Sequence, residues 1–228
     1  MVPGFVASAA GSALIAIGGT RVICTASIVE EVPKWLGARQ RGWLTAEYGM
    51  LPASTGERRQ RDATRGKQDG RTVEIQRLIG RSLRGVVDFE ALGRRTVYVD
   101  CDVLEADGGT RCAATTGGYV ALQLALAQLV RAGTLTRLPL TQSVAAVSCG
   151  VVSGTGLLDL DYREDSAAEV DMNVVMTGDG GLVEVQATAE RTPLSRASLD
   201  DLLGLASLGI ERLRRMQAEV TGGLPTGM

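Results

Sequence analysis

A chain of 228 residues with 45% apolar and 22% charged side chains is long enough to bury a sizeable core and too apolar to stay disordered. It contains no histidine, which excludes Ser-His-Asp and Cys-His catalysis, histidine metal ligands and histidine general bases together. The net charge is −2, yet every basic residue except Lys34 and Lys67 is arginine, the side chain best shaped for bidentate phosphate contacts.

Cys24, Cys101, Cys112 and Cys149 are scattered, form no C-x-x-C pair and mostly sit in strand-like runs, so they read as small core residues rather than a disulfide or zinc framework. Tyr119 to Val130, the longest apolar run, is interrupted by glutamines and is expected to be too short to cross a bilayer. The N-terminus lacks the basic segment of a signal peptide, so the expected compartment is the cytoplasm, without membrane attachment. One domain over residues 1–220 with a flexible tail at 221–228 is expected.

Ser12 to Ile17 and Arg21 to Val29, joined by Gly18-Gly19, predict a hairpin. Glu30 to Gly42 reads as a connector, followed by a strand-like segment from Gly42 to Pro52. Trp43 and Tyr48 in that segment could stack a base, although packing is the commoner use of single aromatics.

The composition then changes. Between Arg58 and Arg84, nine bases stand against Asp62, Asp69 and Glu74, a cationic stretch on an otherwise acidic chain that suits a polyanionic partner. Thr55 to Gly70 has no apolar period and predicts a long exposed loop. Arg71 to Val87 predicts a helix with Ile75, Leu78, Ile79, Leu83 and Val86 facing in, and with Glu74 placed to pair with Arg77 or Arg81 on a polar stripe.

Val97, Val99, Cys101 and Val103 alternate with Thr96, Tyr98, Asp100 and Asp102, the period of a strand with one buried face. A turn at Gly108-Gly109 leads into a buried helix, with Thr110 and Arg111 where that helix should start. Unpaired amides, the helix dipole, a hydroxyl and a guanidinium would converge there on an anion, phosphate above all. A glycine turn with a surface arginine accounts for so short a motif equally well.

Two more hairpins follow, Val144 to Val152 with Leu157 to Leu160, and Val170 to Met176 with Leu182 to Ala189. Between them, Asp159 to Asp171 is the densest acidic cluster, expected on a turn and the start of the next strand. Grouped carboxylates repel one another unless exposed, protonated or neutralised, and hard oxygen ligands suit magnesium; an exposed acidic turn is the alternative. Leu199 to Val220 predicts an amphipathic helix with a capping-box-like start at Ser198 and Asp201. Hairpins flanking a few helices point to an α+β fold.

Taken together, Gly42-Trp-Leu-Thr-Ala-Glu-Tyr-Gly-Met-Leu-Pro52, Arg65-Gly-Lys67, Gly70-Arg71, Glu74-Ile-Gln-Arg-Leu-Ile-Gly-Arg81, Cys101-Asp-Val-Leu-Glu-Ala-Asp-Gly-Gly-Thr-Arg111, Leu158-Asp-Leu-Asp-Tyr162 with Glu164-Asp165, and Asp171-Met-Asn-Val-Val-Met-Thr-Gly178 closely resemble bacterial ribonuclease PH. The resemblance runs over nearly the whole chain. It implies a ribosomal protein S5 domain 2-like fold, a homohexameric ring built as a trimer of dimers, and phosphate-dependent 3′ exoribonuclease (tRNA nucleotidyltransferase) activity on tRNA precursors. By motif it places Gly109, Thr110 and Arg111 on inorganic phosphate and Arg71 at the same site or on the terminal nucleotide. Asp165 and Asp171 would hold Mg²⁺ or Mn²⁺, and Arg58, Arg59, Arg61, Arg65 and Arg77 would contact RNA. The family pattern opens with a further N-terminal segment bearing an Asp-Gly-Arg motif, whereas this sequence starts close to the first hairpin. A catalytically silent RNA-binding ring subunit and a broader-specificity RNA phosphorylase are the competing readings.

Overall fold

The computed structural model describes residues 1–190 and 192–223. Its first half builds a five-stranded sheet from β1 (Val2–Pro3), β2 (Gly11–Ile17), β3 (Thr20–Val29), β4 (Trp43–Met50) and β5 (Thr96–Glu105), in the order β1-β2-β3-β5-β4. The short α1 (Asp62–Arg65), the long α2 (Gly70–Arg84) and the short α3 (Phe89–Leu92) separate β4 from β5. These two strands run parallel, as a helical crossover requires, and the other pairs of this sheet are antiparallel.

The chain then passes through α4 (Thr110–Arg131) into a second, antiparallel sheet. Its strands are β6 (Val144–Val152), β7 (Thr155–Leu158), β8 (Val170–Thr177) and β9 (Leu182–Ala189), in the order β7-β6-β8-β9, with α5 (Tyr162–Ala167) inserted before β8. The final α6 (Arg196–Val220) lies on the outer face of this sheet. The layers are therefore sheet, helices α2 and α4, sheet, helix, the α+β architecture expected from the hairpins and helices.

Layer position explains the two kinds of strand pattern. In β5, Val97, Val99, Cys101 and Val103 on the helix-facing side are buried, while on the other side Tyr98 and Asp102 are exposed and only Thr96 at the strand's start is buried. In β6, Val144 and Ala146 join the core around α4, whereas Ala145, Val147 and Cys149 join the core under α6. A strand covered on both faces has no need to alternate, hence its continuous apolar run. Ile75, Leu78, Ile79 and Leu83 anchor α2 as their spacing predicts; each full burial of such a side chain is worth about 1.5–3 kcal/mol. All four cysteines are free and buried.

Several local expectations need correction. The apolar run Tyr119 to Val130 is only the second half of α4, a 22-residue helix long and apolar enough to cross a membrane by length and composition; here it is the core helix between the sheets. The segment Thr55 to Gly70 is not all loop: Asp62 to Arg65 form a helical turn, ended by Gly66 in the left-handed region. The acidic cluster reaches the start of the next strand at Asp171 as expected, but its middle is the helix α5 rather than a plain turn, because Asp161 and Glu164 close a reciprocal capping box, Asp161 accepting from the Glu164 amide at 2.8 Å and Glu164 from the Asp161 amide at 3.0 Å. The last helix starts earlier than its apolar period suggests, with Ser195 accepting from the Ser198 amide. Of the expected tail, Thr221 is buried against the end of α6, and residues 224–228 lie outside the described residues.

Candidate active site

The turn between β5 and α4 is built for close approach. Gly108 and Gly109 both have positive φ, and a Cβ on Gly108 would sit 2.5 Å from the Leu160 carbonyl oxygen, so only glycine fits between this turn and the segment before α5. Thr20, just past the first hairpin turn, pins the loop: its hydroxyl donates to the Gly108 carbonyl at 2.6 Å and accepts from the Asp107 amide at 2.8 Å. Gly109 caps α4, and the Thr110 and Arg111 amides that follow have no hydrogen-bond partner among the described residues. These donors, with the positive end of a 22-residue helix, open on a cleft of about 720 Å³.

The cleft lies between the two halves of the chain. Arg71, Gly109, Thr110 and Arg111 line it from the first half, and Asp165 and Asp171 from the second. Arg71 arrives on the first turn of α2, whose N-cap Asp69 accepts from the Thr72 amide. Asp165 projects from α5 and Asp171 from the start of β8. Burial and the neighbouring Asp171 charge raise the Asp165 carboxyl above its ordinary value, while Arg71 and Arg111 pull it down. All six residues expected on phosphate or metal thus share one cavity, although up to about a hundred positions of sequence separate them.

The RNA-contacting arginines do not stay together. Arg58 and Arg59 line the cleft itself. Arg61, Arg65 and Arg77 do not line it. Asp69 explains part of the sorting, since it pairs with Arg59 at 3.3 Å and with Arg65 at 3.7 Å, folding the cationic segment back onto the start of α2. Arg77 is exposed on α2.

Sequence reasoning missed the supporting roles of three residues. Tyr48 is buried, and its hydroxyl donates to Thr110 Oγ1 at 2.9 Å; burial raises its pKa, which that hydrogen bond and the positive charges of Arg71, Arg111 and Arg59 lower in part. The ring packs in the core, the commoner use of a single aromatic, while its hydroxyl reaches the cleft wall. Glu74 does not pair with Arg77 or Arg81: its Oε1 accepts from Arg111 Nη1 at 3.1 Å and from Gln186 Nε2 at 3.0 Å. Gln186, on β9, also accepts from Arg111 Nη1 at 2.6 Å. Arg81 reaches across to Glu184 at 2.8 Å on the same strand. The alternation of β9 offered no hint of these links.

A carboxylate pair in which Asp165 is raised by partial desolvation and by the charge of Asp171 fits a hard cation. Two carboxylates suffice for Mg²⁺, which is commonly held by one or two such groups with substrate phosphates completing its shell. Among the described residues, no cluster of three or more acidic, cysteine or histidine ligands offers an alternative metal site.

Solved structures with this arrangement of layers include the Archaeoglobus fulgidus exosome with RNA bound to its active site, 22% identical, with a TM-score of 0.79 over 94% of this chain and 86% of that one. Rice (Oryza sativa) Rrp46 is 17% identical with a TM-score of 0.76, over 96% of this chain and 92% of its own. An archaeal exosome core is 20% identical with a TM-score of 0.71, covering 96% and 84%. At such identities these likenesses establish the fold, in keeping with the ribosomal protein S5 domain 2-like expectation. The sequence itself matches domain 1 of the 3′ exoribonuclease family over residues 1–128 and domain 2 over residues 142–208. Since the cleft lies where those two matched regions meet, both its arginine wall and its carboxylate wall fall within them, and the chain belongs to the 3′ exoribonuclease family.

Proposed function

We propose that the protein is a phosphate-dependent 3′ exoribonuclease, a tRNA nucleotidyltransferase that trims the 3′ ends of tRNA precursors and releases nucleoside 5′-diphosphates. The reading is carried by one observation: an arginine wall with free helix amides faces a carboxylate pair across a single cleft. A silent RNA-binding subunit has no use for the two walls together.

Phosphorolysis brings two anions together, so positive charge must be gathered before they meet. Arg111, Arg71 and the Thr110 and Arg111 amides would hold inorganic phosphate, and its oxygen attacks the terminal phosphorus. The P–O3′ bond breaks, its electron pair stays on O3′ and that oxygen takes up a proton. The products are a nucleoside diphosphate and an RNA one nucleotide shorter. Phosphate supplies the nucleophilic oxygen, so a histidine-free protein needs no nucleophile of its own. Mg²⁺ or Mn²⁺ held by Asp165 and Asp171 would add positive charge beside the scissile phosphate. Arg58 and Arg59 are placed to meet the last backbone phosphates of the RNA, and Arg61, Arg65 and Arg77 those farther away.

A cytoplasmic homohexameric ring, a trimer of dimers, completes the proposal. Its test is nucleoside diphosphate release from a 3′-extended tRNA with and without phosphate. Equal release in both, or mononucleotides as the product, would refute it.

A further inference from the structure

At the end of β4 opposite the cleft, two guanidinium groups bracket a pair of stacked aromatic rings. Arg41 lies 5.5 Å over the Phe89 ring, Phe89 stacks on Trp43 at 6.2 Å, and Arg84 lies 5.1 Å over Trp43. Trp35 packs edge-on against Trp43, with ring centroids 4.8 Å apart, and is 64% exposed. Its place is held by the neighbouring Leu36, which is buried on the same single turn of 3-10 helix.

Most cations around this ring have no carboxylate partner, although Arg41 and Arg84 lie on the rings and Arg84 also donates to the Leu44 carbonyl. Lys34, Arg39, Arg41, Arg84 and Arg94 form no ion pair among the described residues; Glu30 and Asp88 are taken by Arg95 and Arg137, leaving Glu31 and Glu90 as the local counter-charges. Arg94 braces the connector by donating to the Gly37 and Arg39 carbonyls, so the loop that carries Trp35 is tied to the start of β5. Arg41 Nε is buried without a hydrogen-bond partner. A cationic surface around a rigidly backed, open indole suits a base stacked on the ring and a backbone running past the cations.

We propose that this surface binds single-stranded RNA upstream of the 3′ end held in the cleft, with a base stacked on Trp35. β4 links the two places: Trp43 supports the platform, Met50 lines the cleft, and the seven residue steps between them span about 23 Å. An RNA of several nucleotides reaches both, and a trinucleotide reaches only the cleft. The choice of RNA as the polymer rests on the proposed function; the stacking itself is independent of phosphorolysis.

The test is tryptophan fluorescence of the full chain titrated, without phosphate, with oligoadenylate of roughly 12 nucleotides. Trp35 and Trp43 are the only tryptophans, so quenching that disappears in Trp35→Phe reports on Trp35. The expected result is quenching in the parent protein and a Kd about tenfold weaker in Trp35→Ala, with Trp35→Phe nearer the parent value. Trinucleotide phosphorolysis should be unchanged in both variants. Unquenched fluorescence with unchanged affinity in Trp35→Ala overturns the proposal. So does a Trp35→Ala protein that loses its oligomeric state while keeping its RNA affinity, since the surface would then join copies of the chain. Stacking without any phosphorolysis by the parent protein would uphold this surface and refute the proposed function, so the two failures are distinct.

Discussion

Arg111 Nη1 donates to both Glu74 Oε1 and Gln186 Oε1, so two acceptors occupy that nitrogen and leave Nε and Nη2 as the donors for a ligand. The three side chains come from α4, α2 and β9 and fix the guanidinium where those elements meet. Glu74→Ala and Gln186→Ala should therefore raise the KM for phosphate by about tenfold, the worth of a hydrogen bond to a charged group, with a smaller effect on turnover at saturating phosphate. Glu74→Gln keeps the acceptor and removes a negative charge next to the phosphate, so its KM should stay within about threefold of the parent. Steady-state kinetics with phosphate varied will check this. An unchanged KM in both alanine variants would count against the clamp.

Arg111→Ala itself removes a preorganised donor and should cost on the order of a hundredfold or more in phosphorolysis, with RNA affinity largely intact. Parallel measurements of nucleoside diphosphate release and oligonucleotide binding separate the two. Full turnover at saturating phosphate would contradict its placement on the nucleophile.

Asp165→Asn and Asp171→Asn should each lose about a hundredfold or more of turnover, and EDTA should silence the parent protein. A proton competes with Mg²⁺ at Asp165, whose carboxyl stands above the ordinary value. Mg²⁺ affinity should therefore rise as pH climbs through that raised value and level off above it. Calorimetric Mg²⁺ titrations across acidic pH provide the check; a flat profile would argue against Asp165 as a ligand.

Tyr48→Phe deletes the hydroxyl that donates to Thr110 and leaves the buried ring in place. Loss of that one bond should cost about 1 kcal/mol of stability and raise the phosphate KM a few-fold by freeing the Thr110 side chain. Denaturant unfolding together with phosphate kinetics tests both halves.

Asp69 caps α2 at the Thr72 amide, and that hydrogen bond, helped by Arg59 and Arg65, holds its carboxyl below the ordinary value. A depressed carboxyl contributes stability that is present above its unfolded pKa and is lost as pH falls through the folded one. Asp69→Ala should thus cost about 1 kcal/mol at neutral pH, and the gap from the parent should close in strong acid. Urea melts at neutral and acidic pH will show whether it does.

The arginine loop divides by position. Arg58→Ala, at the cleft wall, should slow phosphorolysis of short oligonucleotides and of tRNA alike, whereas Arg61→Ala, outside the cleft, should weaken tRNA alone. Each lost phosphate contact should flatten the dependence of log affinity on log salt by roughly 0.7 to 0.9.

Local chemistry made much of this protein legible from its residues. The two-residue alternation of β5, the apolar stripe of α2 and the glycine pair before Thr110 each act within a few positions, where period and backbone freedom decide the outcome. The resemblance to ribonuclease PH named the residues of both cleft walls, but spacing along the chain does not say which side chains meet. Glu74 had partners in reach at Arg77 and Arg81 on its own helix, yet packing of α2 against the second sheet brought it Arg111 and Gln186, which lie 37 and 112 positions away. The same packing put Tyr48 under Thr110 and sorted the loop arginines into those that line the cleft and those that do not. Ion pairs and hydrogen bonds depend on separation in space, which the stacking of α2 and α4 between two sheets sets for this chain.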